Sequence, residues 1–411
     1  MKKLLELAPK RLLFFLRYIQ YKYCEIKYRK IRNNKDNGIY YFIPEVPGHF
    51  MHAAPLYRLV GGTVITVSKK NKQEIAKKYH VKCIAIDDVV VSDVKNFDAT
   101  AIAKTFKYLN KHAKVVIFYD LMDLKGQLTS PSIFLHHGVS LGKAELFWSD
   151  KRRIEYVKQL DYISSVDQLS HEIMIRDGVP KDKMLNLTIA RTTEIIQRAV
   201  LFRTRAARVV CKKLNIKRGH KVIVYMTSYW SQNSLEDTGL NLAKYINDEY
   251  ILIFWPHPQT DRKYLKKYEE IAKERGNIII GQKLMDLDIM DLYVVSNLFI
   301  ADSPTSVVSD MILAQKPIVF AYGDGENATI PGSPEPLENV ISSSLRLDYS
   351  ASRYKTVVNN IIDRALKAGF DRKAYWHFIN STFYNTTGVA AVRTAQYVVD
   401  IMRNGKIMDK K

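Results

Sequence analysis

Short runs of β-branched and aromatic residues alternate, along most of the chain, with longer segments whose apolar residues recur at helical spacing. A strand covered on both faces reads as a continuous apolar run, whereas a surface helix shows an apolar stripe with a period of 3.6 residues. In the first half, strand-like runs begin at residues 38, 61, 81, 114 and 131 (GIYYFIP, GGTVITVS, VKCIAIDDVVV, KVVIFYDLMD, PSIFLHHG). Helical spacing occurs between them at 69–80 and 101–112. The alternation predicts a parallel, doubly wound sheet. Two further strand-like segments, 160–166 and 184–189, complete this sheet.

The same alternation begins again after a basic helical segment at about residues 191–214. Strand-like runs at 220–230 and 250–258 precede helical segments at 235–247 and 262–276, and the pattern continues through PIVFAY. Two Rossmann-like halves predict an α/β protein of the GT-B type, in which two doubly wound domains face each other across a cleft. We place the boundaries of the segments at 1–36, 37–205, 206–385 and 386–411, with a helix at each end of the chain.

Composition narrows the classes of protein that the pattern allows. The chain has 411 residues, of which 47% are hydrophobic, so it can form two packed cores and is not mostly disordered. Its three cysteines, Cys24, Cys83 and Cys211, are far apart, which argues against a disulfide framework or a cysteine-based zinc site. Lys and Arg outnumber Asp and Glu by 63 to 42, giving a net charge of +21. A surplus of this size predicts a polyanionic partner such as nucleic acid, acidic lipid or a phosphorylated substrate.

Much of the positive charge lies in the first 36 residues, which contain eleven basic and three acidic side chains. An apolar cluster that includes Leu12, Phe15 and Ile19 lies between these basic residues. A basic, aromatic-bearing helix too short to span a bilayer is typical of an interfacial anchor on an anionic membrane. The alternative is a terminal helix that packs on its own domain with its charges solvated. We favour the membrane interpretation.

Small hydroxyl residues follow one strand of the second half and form the best candidate for a phosphate site. In open α/β sheets, ligands bind beyond the carboxyl ends of the strands, and the start of a helix favours an anion. The segment LFIADSPTSVVSD offers several polar residues between a strand and a helix: Asp302, Ser303, Thr305 and Ser306. One such residue suffices to cap a helix, so three hydroxyls favour ligand binding over capping alone.

Histidines end two other predicted strands. His137 is followed by Gly138, and an imidazole near neutral pH can act as a general base while glycine allows close approach of a substrate. His257 stands between Pro256 and Pro258, a rigid turn that fixes the direction of the ring. Each histidine also has a simpler interpretation as a loop residue whose ring forms hydrogen bonds within the protein. Together, the two histidine segments and the hydroxyl segment favour a functional site because of their order and their positions at strand ends.

These segments resemble the CDP-glycerol glycerophosphotransferase family over about residues 38–385. The matching parts are an HG-containing loop, a histidine-proline strand end, the opening IYYFIPEVPGHFMHAAPLYRLV (39–60) and DLYVVSNLFIADSPTSVVSDMILAQKPIVF (291–320). The last is the most specific, because a DLY-x-x-S-x-x-x-x-D pattern, small hydroxyls, a helix and a proline-led strand occur in register over thirty residues.

The resemblance implies a peripheral enzyme at the cytoplasmic face of the bacterial membrane. Such an enzyme moves an alditol-phosphate unit from a CDP-activated donor to a hydroxyl of a lipid-linked glycan, in teichoic acid or capsule synthesis. It would make 37–205 the acceptor domain and 206–385 the nucleotide-donor domain. Its implied roles are proton removal by His137, acceptor contacts from His49 and Gly138, and phosphate stabilisation by His257. Nucleotide or phosphate binding is implied for Asp302, Ser303, Thr305 and Ser306. We expect no cofactor and no protein-held metal, since neither metal-ligand spacing nor a Walker loop is present.

Three other functions stay open. A glycosyltransferase with a CMP- or UDP-sugar donor would use the same fold, since bacterial sialyl- and Kdo-transferases also combine an HP turn with a serine-rich segment. A UDP-sugar 2-epimerase is a weaker candidate, because DSPTSVVSD only loosely resembles its DSGG-x-x-x-E pattern. Nucleic-acid binding is the least favoured, since the sequence has no helix-turn-helix, RRM or zinc pattern.

Overall fold

The chain forms two compact units in a computed structural model. The first unit comprises residues 1–139, 144–194 and 383–411, and the second comprises 140–143 and 195–382. The structure describes residues 10–44, 47–86, 99–136, 147–217, 219–227, 234–257, 260–281, 287–301, 306–321, 346–347, 354–369, 371–384 and 388–408.

A seven-stranded sheet organises the first unit, and all of its paired strands are parallel. Its strands are β1 Ile39–Phe42, β2 Thr63–Thr66, β3 Cys83–Ala85, β4 Val115–Phe118, β5 Ser132–Phe134, β6 Tyr162–Ser164 and β7 Met184–Leu185. Their order is β3-β2-β1-β4-β5-β6-β7. The chain therefore winds outward from β1 in one direction, returns at β4 and winds outward in the other, as the doubly wound prediction requires.

Helices alternate with the strands along the described part of the chain. In chain order they are α1 Lys10–Lys27, α2 Arg29–Asn33, α3 Phe50–Val60, α4 Lys69–Tyr79, α5 Ala99–His112, α6 Lys151–Lys158, α7 Gln168–Arg176, α8 Arg191–Ile195, α9 Arg203–Lys213, α10 Leu240–Tyr245, α11 Arg262–Glu274, α12 Ile289–Val295, α13 Ser306–Leu313, α14 Tyr354–Ala368, α15 Arg372–Thr382 and α16 Ala390–Asn404.

The strands of the first unit are apolar without interruption because both of their faces are buried. In β1, Tyr41 packs on one side with Leu56 of α3 and Val398 of α16. Its neighbour Phe42 packs on the other side with Phe106 of α5. Side chains alternate across a strand, so two helical layers demand apolar residues at every position.

The second unit repeats this design around six parallel strands. They are β8 Lys221–Met226, β9 Tyr250–Trp255, β10 Ile278–Ile280, β11 Leu298–Ala301, β12 Ile318–Ala321 and β13 Arg346–Leu347, in the order β10-β9-β8-β11-β12-β13. Stacked rings extend the core from the sheet to α11, with centroids 5.6 Å apart for Tyr225 and Phe254 and 3.9 Å apart for Phe254 and Tyr268.

Two segments differ from the pattern in the sequence. We assigned no helix within 44–60, yet α3 begins directly after His49 and contains Pro55. A proline inside a helix lacks the N–H for its turn, but burial of Phe50, Leu56 and Leu59 on one face stabilises the helix regardless. The basic stretch at 191–214 is helical but divided, with a π-helical turn at Ile196–Leu201 between α8 and α9.

Candidate active site

The order of strands in the first unit places a crevice beyond the carboxyl ends of β1 and β4. These strands are neighbours, but the chain leaves them toward opposite edges of the sheet. Such a switch point is where open α/β sheets bind ligands. The residues that follow β1 and β4 are therefore the first place to look for functional side chains.

A histidine and an aspartate meet at this switch point. His49 ends a short 3₁₀ turn, Pro47–His49, after β1, and Asp120 lies two residues beyond β4. The His49 Nδ1 lies 3.0 Å from both carboxyl oxygens of Asp120. The Asp120 side chain is 9% exposed and that of His49 is 19% exposed, so the carboxylate is the more buried of the two groups.

The end of β5, the next strand in the sheet, carries the predicted HG loop. His136 is buried, has a φ of 57°, and packs against the rings of Phe134, Phe147 and Trp148. Its surroundings make it a core residue. His137 and Gly138 lie outside the described residues, so their catalytic and acceptor-side roles remain predictions.

The second unit has its own switch point, between β8 and β11. Thr227 follows β8 directly and is buried, and His257 lies two residues beyond the neighbouring strand β9. The backbone N–H of His257 donates a hydrogen bond to the Thr227 hydroxyl over 3.3 Å. Partial burial lowers the pKa of the His257 imidazole, which favours the neutral ring.

Helix α13 starts at this same edge, and its first residue is Ser306. The other members of the proposed phosphate segment, Asp302, Ser303 and Thr305, lie outside the described residues. The strand end at Ala301 and the helix start at Ser306 bracket them. Their binding role, and that of the Ser306 hydroxyl, remain predictions.

The DLYVVS part of the 291–320 motif forms side-chain contacts between α12 and its neighbouring helices. Asp291 pairs with Arg198 at 2.6 Å and with Lys213 at 3.7 Å, and this holds α12 against the basic helical segment. The hydroxyl of Tyr293 donates to the buried Asp310 carboxylate over 2.8 Å, which joins α12 to α13.

A buried lysine completes this support. Lys316 is fully buried and donates through its amine to the carbonyl oxygens of Val294, at 3.4 Å, and Ser296. Desolvation, with a smaller effect of Arg203, lowers the pKa of the Lys316 amine well below its ordinary value. The amine thereby satisfies carbonyl groups at the end of α12, which a helix leaves unpaired.

Sequence reasoning missed Asp120, Thr227 and Asp310. The first two lie inside the runs predicted as strands, 114–123 and 220–230, whereas the observed strands end earlier, at Phe118 and Met226. With the observed strand ends, the rule that identified His257 applies to them as well. No local signal marks Asp310, because its partner Tyr293 lies seventeen residues away on another helix.

Helix α1 has apolar residues on two different faces. Phe14, Tyr21 and Cys24 are buried, and the Tyr21 hydroxyl donates to the carbonyl of Pro55 in α3 over 3.2 Å. Six other residues form what we call the apolar stripe, each 39–64% exposed: Leu12, Phe15, Leu16, Ile19, Tyr23 and Ile26. With 3.6 residues per turn, their spacing of three and four places them on one side of the helix, away from the packed face.

The described part of the chain offers neither a metal cluster nor a membrane span. No group of three potential metal-ligating side chains comes together there. Within the same residues, no helix combines the length and apolar character that crossing a bilayer requires.

Comparison with known proteins gives one family and several similar solved structures. The model of the CDP-glycerol:poly(glycerophosphate) glycerophosphotransferase family matches residues 65–328. No curated protein matches the chain by sequence.

Among solved structures, the wall teichoic acid polymerase TagF is similar with a TM-score of 0.60 and 13% identity over 95% of this chain and 98% of that one. A TagF structure soaked with CDPG gives the same score at 14% identity and the same coverage. Anabaena HepE with UDP and glucose has a TM-score of 0.50 and 13% identity over 89% of this chain and 97% of its own. These similarities confirm the GT-B fold class.

Proposed function

Since the chain belongs to the CDP-glycerol:poly(glycerophosphate) glycerophosphotransferase family, it is a transferase, and we propose that it moves a glycerol-phosphate unit from CDP-glycerol to a hydroxyl of a lipid-linked glycan. The family resemblance drawn from the sequence is thereby confirmed. The GT-B fold and the family together support a CDP-activated donor for cell-wall polymer synthesis. The acceptor and the place of action belong to the proposal.

The observation that carries the donor assignment is the meeting of three strand ends at the switch point of the second unit. Thr227, His257 and the start of α13 follow β8, β9 and β11, which are neighbours in the sheet. A hydroxyl, an imidazole and a helix start are all groups that stabilise phosphate. We therefore place the donor diphosphate here, with Ser303, Thr305 and Ser306 as further phosphate ligands, Asp302 as a ligand of the nucleotide, and no metal held by the protein.

The transfer step needs one proton acceptor and stabilisation of phosphate charge. His137 takes the proton of the acceptor hydroxyl, and the oxygen attacks the distal phosphorus of the donor. The bond from this phosphorus to the bridging oxygen breaks, and CMP leaves with the electron pair. His257 and the hydroxyl segment stabilise the charge on the phosphates, since phosphoryl transfer depends mainly on positioning and electrostatics.

A donor screen tests this proposal and separates it from the alternatives. The purified chain is incubated with a glycolipid acceptor and CDP-glycerol, CDP-ribitol, CMP-sugar or UDP-sugar, and nucleotide release and acceptor mass are measured. We expect transfer from CDP-glycerol. Turnover of a nucleotide sugar alone would instead identify a glycosyltransferase, and acceptor-independent turnover of a UDP-sugar would identify an epimerase.

His257→Ala tests the donor site within the same assay. We expect a loss of turnover by orders of magnitude, with weaker CMP binding. His220→Ala is the matched control, because His220 is an exposed histidine of the same unit. Normal turnover in folded His257→Ala would remove this residue from the mechanism.

We further propose that α1 binds the cytoplasmic face of an anionic membrane through the apolar stripe. The stripe is an apolar surface on a helix that already packs on its own unit through Phe14 and Tyr21. Exposed basic residues, Arg11, Lys22 and Lys27, accompany it on the same helix. Apolar area flanked by positive charge matches the boundary between anionic headgroups and acyl chains.

Sedimentation with vesicles tests this surface. Leu16, Ile19 and Ile26 are each roughly half exposed. Burying the exposed part of each side chain in the membrane therefore contributes about 1 kcal/mol to the free energy of binding. Replacing all three by serine should therefore weaken binding to phosphatidylglycerol vesicles about 100-fold. Serine at exposed Gln20, Asn33 and Asn34 is the matched control and should leave binding unchanged. Equal sedimentation of the two variants would reject the membrane surface.

A further inference from the structure

A further group of polar side chains lies at the carboxyl edge of the first sheet, beyond β6. Strand β6 lies beside β5, whose end leads into the HG loop. Residues 165–167 follow β6 directly and lead into α7, which carries His171. We propose that His171, together with Tyr384, forms a subsite for a sugar ring of the acceptor glycan. The inference rests on the proposed function, since it concerns the second substrate of the same reaction.

The turn between β6 and α7 has a backbone conformation that a β-branched residue rarely adopts. Val166 has a φ of 69°, in the left-handed region. The N–H of Asp167 donates to the carbonyl of Ser165 over 2.8 Å and closes a γ-turn around Val166. Such strained turns persist only where the surrounding structure holds them, and they are frequent at ligand sites. This turn brings the Ser165 hydroxyl to the ring of His171.

The partner of His171 determines which of its ring nitrogens carries the proton. The Ser165 hydroxyl is fully buried, and its one hydrogen-bond partner among the described residues is the His171 Nδ1, 3.4 Å away. A buried hydroxyl needs an acceptor for its proton, so it donates to Nδ1, and the neutral ring then carries its own proton on Nε2. Desolvation, with a smaller effect of Lys181, lowers the pKa of the His171 imidazole and favours this neutral form. His171 therefore offers an N–H donor to a ligand.

Tyr384 adds an aromatic ring and a hydroxyl to this subsite. The rings of His171 and Tyr384 meet edge to face with their centroids 6.2 Å apart, and each residue is partly exposed. Desolvation, with smaller effects of Asp167 and Glu172, raises the pKa of the Tyr384 hydroxyl to about 12, so this group keeps its proton. The exposed Glu172 carboxylate, which is close enough to Tyr384 to affect this pKa, supplies a hydrogen-bond acceptor.

This combination of groups matches a sugar better than a phosphate. Sugar hydroxyls both donate and accept hydrogen bonds, so they can pair with the N–H of His171, with a phenol and with a carboxylate. Phosphate oxygens only accept, and the carboxylates of Asp167 and Glu172 repel them, with Lys181 supplying a single positive charge. Sites for small molecules combine aromatic rings with a few polar groups that fix the orientation of the ligand. The edge beyond β6 therefore suits the glycan part of the acceptor.

Acceptor kinetics of the full chain test the subsite. CDP-glycerol is the donor, and the two acceptors are octyl N-acetyl-β-glucosaminide, which contains a sugar ring, and octyl glycerol phosphate, which contains none. For His171→Ala and Tyr384→Phe we expect KM for the glycoside to rise at least fivefold, while kcat and KM for octyl glycerol phosphate stay within twofold. His171→Gln keeps an N–H donor and should retain most of the wild-type affinity. His112→Ala, which alters an exposed histidine of the same unit, should behave as the wild type.

The two acceptors separate a sugar subsite from a structural role. A change that only disturbs folding or the reacting groups would impair the use of both acceptors equally, and that result would overturn the proposal. Unchanged KM for the glycoside in folded variants, or a change confined to octyl glycerol phosphate, would overturn it as well.

Binding without turnover keeps this proposal separate from the proposed function. Saturation-transfer NMR measures the binding of methyl N-acetyl-β-glucosaminide to the wild type and to His171→Ala. We expect a signal from the sugar protons with the wild type and a signal at least fivefold weaker with the variant. If this difference appears but nothing is transferred from CDP-glycerol, only the proposed transfer is wrong. Whether or not transfer occurs, equal or absent signals with the two proteins would mean that the sugar subsite is wrong.

Discussion

The hydrogen bond between Tyr293 and Asp310 connects the most specific sequence motif to the proposed phosphate site. Both side chains are buried, and the hydroxyl lies 2.8 Å from the carboxylate. Asp310 belongs to α13, whose first turn starts at the edge where we place the donor. Tyr293→Phe removes only the hydroxyl, so the ring remains and packs as before.

The expected cost follows from the burial of the acceptor. A hydrogen bond to a charged group contributes about 1.5–3 kcal/mol, and a buried carboxylate that loses its donor cannot recover it from water. We therefore expect Tyr293→Phe to lower the free energy of unfolding of the second unit by about 2–3 kcal/mol. With an m-value of about 2 kcal/mol per molar urea, the midpoint shifts down by about 1 M.

Urea unfolding with a double-mutant cycle measures this interaction. The variants are Tyr293→Phe, Asp310→Asn and their combination, and Tyr245→Phe on a ring that is 38% exposed is the control. We expect a coupling free energy of at least 1 kcal/mol between the two positions and a change below about 0.5 kcal/mol for the control. Additive single effects would refute the reasoning that this bond holds α13.

Three further predictions concern other parts of the second unit. Binding of anionic CMP should raise the lowered pKa of His257, so that the complex takes up a proton and CMP affinity increases as the pH falls through the pKa of the bound state. Calorimetry in two buffers detects this proton uptake, and His257→Gln should abolish the uptake. Gly281→Ala should destabilise the unit by about 1–3 kcal/mol because its Cβ overlaps the Trp255 ring, whereas Gly276→Ala, with nothing within 4 Å, should not. The Lys316 amine binds its proton more tightly in the unfolded state than in the folded state, because burial lowers its pKa. The free energy of unfolding should therefore rise with pH toward the ordinary lysine pKa of about 10.5, and it should rise less steeply in Lys316→Met.

The sequence predicted the architecture well because parallel sheets leave a strong local signal. Strands such as VVIF and LFIA are apolar at every position, and the structure buries every residue of both. The helix at Phe50–Val60 was missed because Pro55 contradicts the local rule. Its stability comes from packing against α1 and α16, which no window of sequence reports.

The candidate site was predicted in part, and the difference has a physical reason. His257 was identified because a histidine at a predicted strand end is conspicuous, whereas His49 was named only through the family resemblance of residues 39–60. Asp120 and Thr227 were not, because the runs predicted as strands continue past both residues, to 123 and 230. Only the pairing of Asp120 with His49, seventy-one positions apart, gives it a role.

The N-terminal helix shows why two readings of one segment need not exclude each other. The sequence offered either a membrane anchor or a helix packed on its own domain. Tyr21 and Phe14 pack as the second reading requires, while the apolar stripe stays exposed as the first requires. A helix that is apolar on two sides has no clean amphipathic period, and this is why its pattern was ambiguous.

Electrostatics separates the two switch points by the substrate that each can accept. At the first, Asp120 places a buried negative charge next to the imidazole of His49, which disfavours a phosphate and suits a hydroxyl. At the second, the neutral ring of His257 lies beside a threonine hydroxyl and near a helix start, which favour an anion. The reaction is taken from the family, and only the choice of edge for the donor phosphates rests on the charges at the two sheet edges. We therefore expect Asp120→Asn to leave CMP affinity unchanged and His257→Ala to weaken it. Equal effects of both changes on CMP binding would mean that the donor phosphates lie at the wrong edge in our assignment.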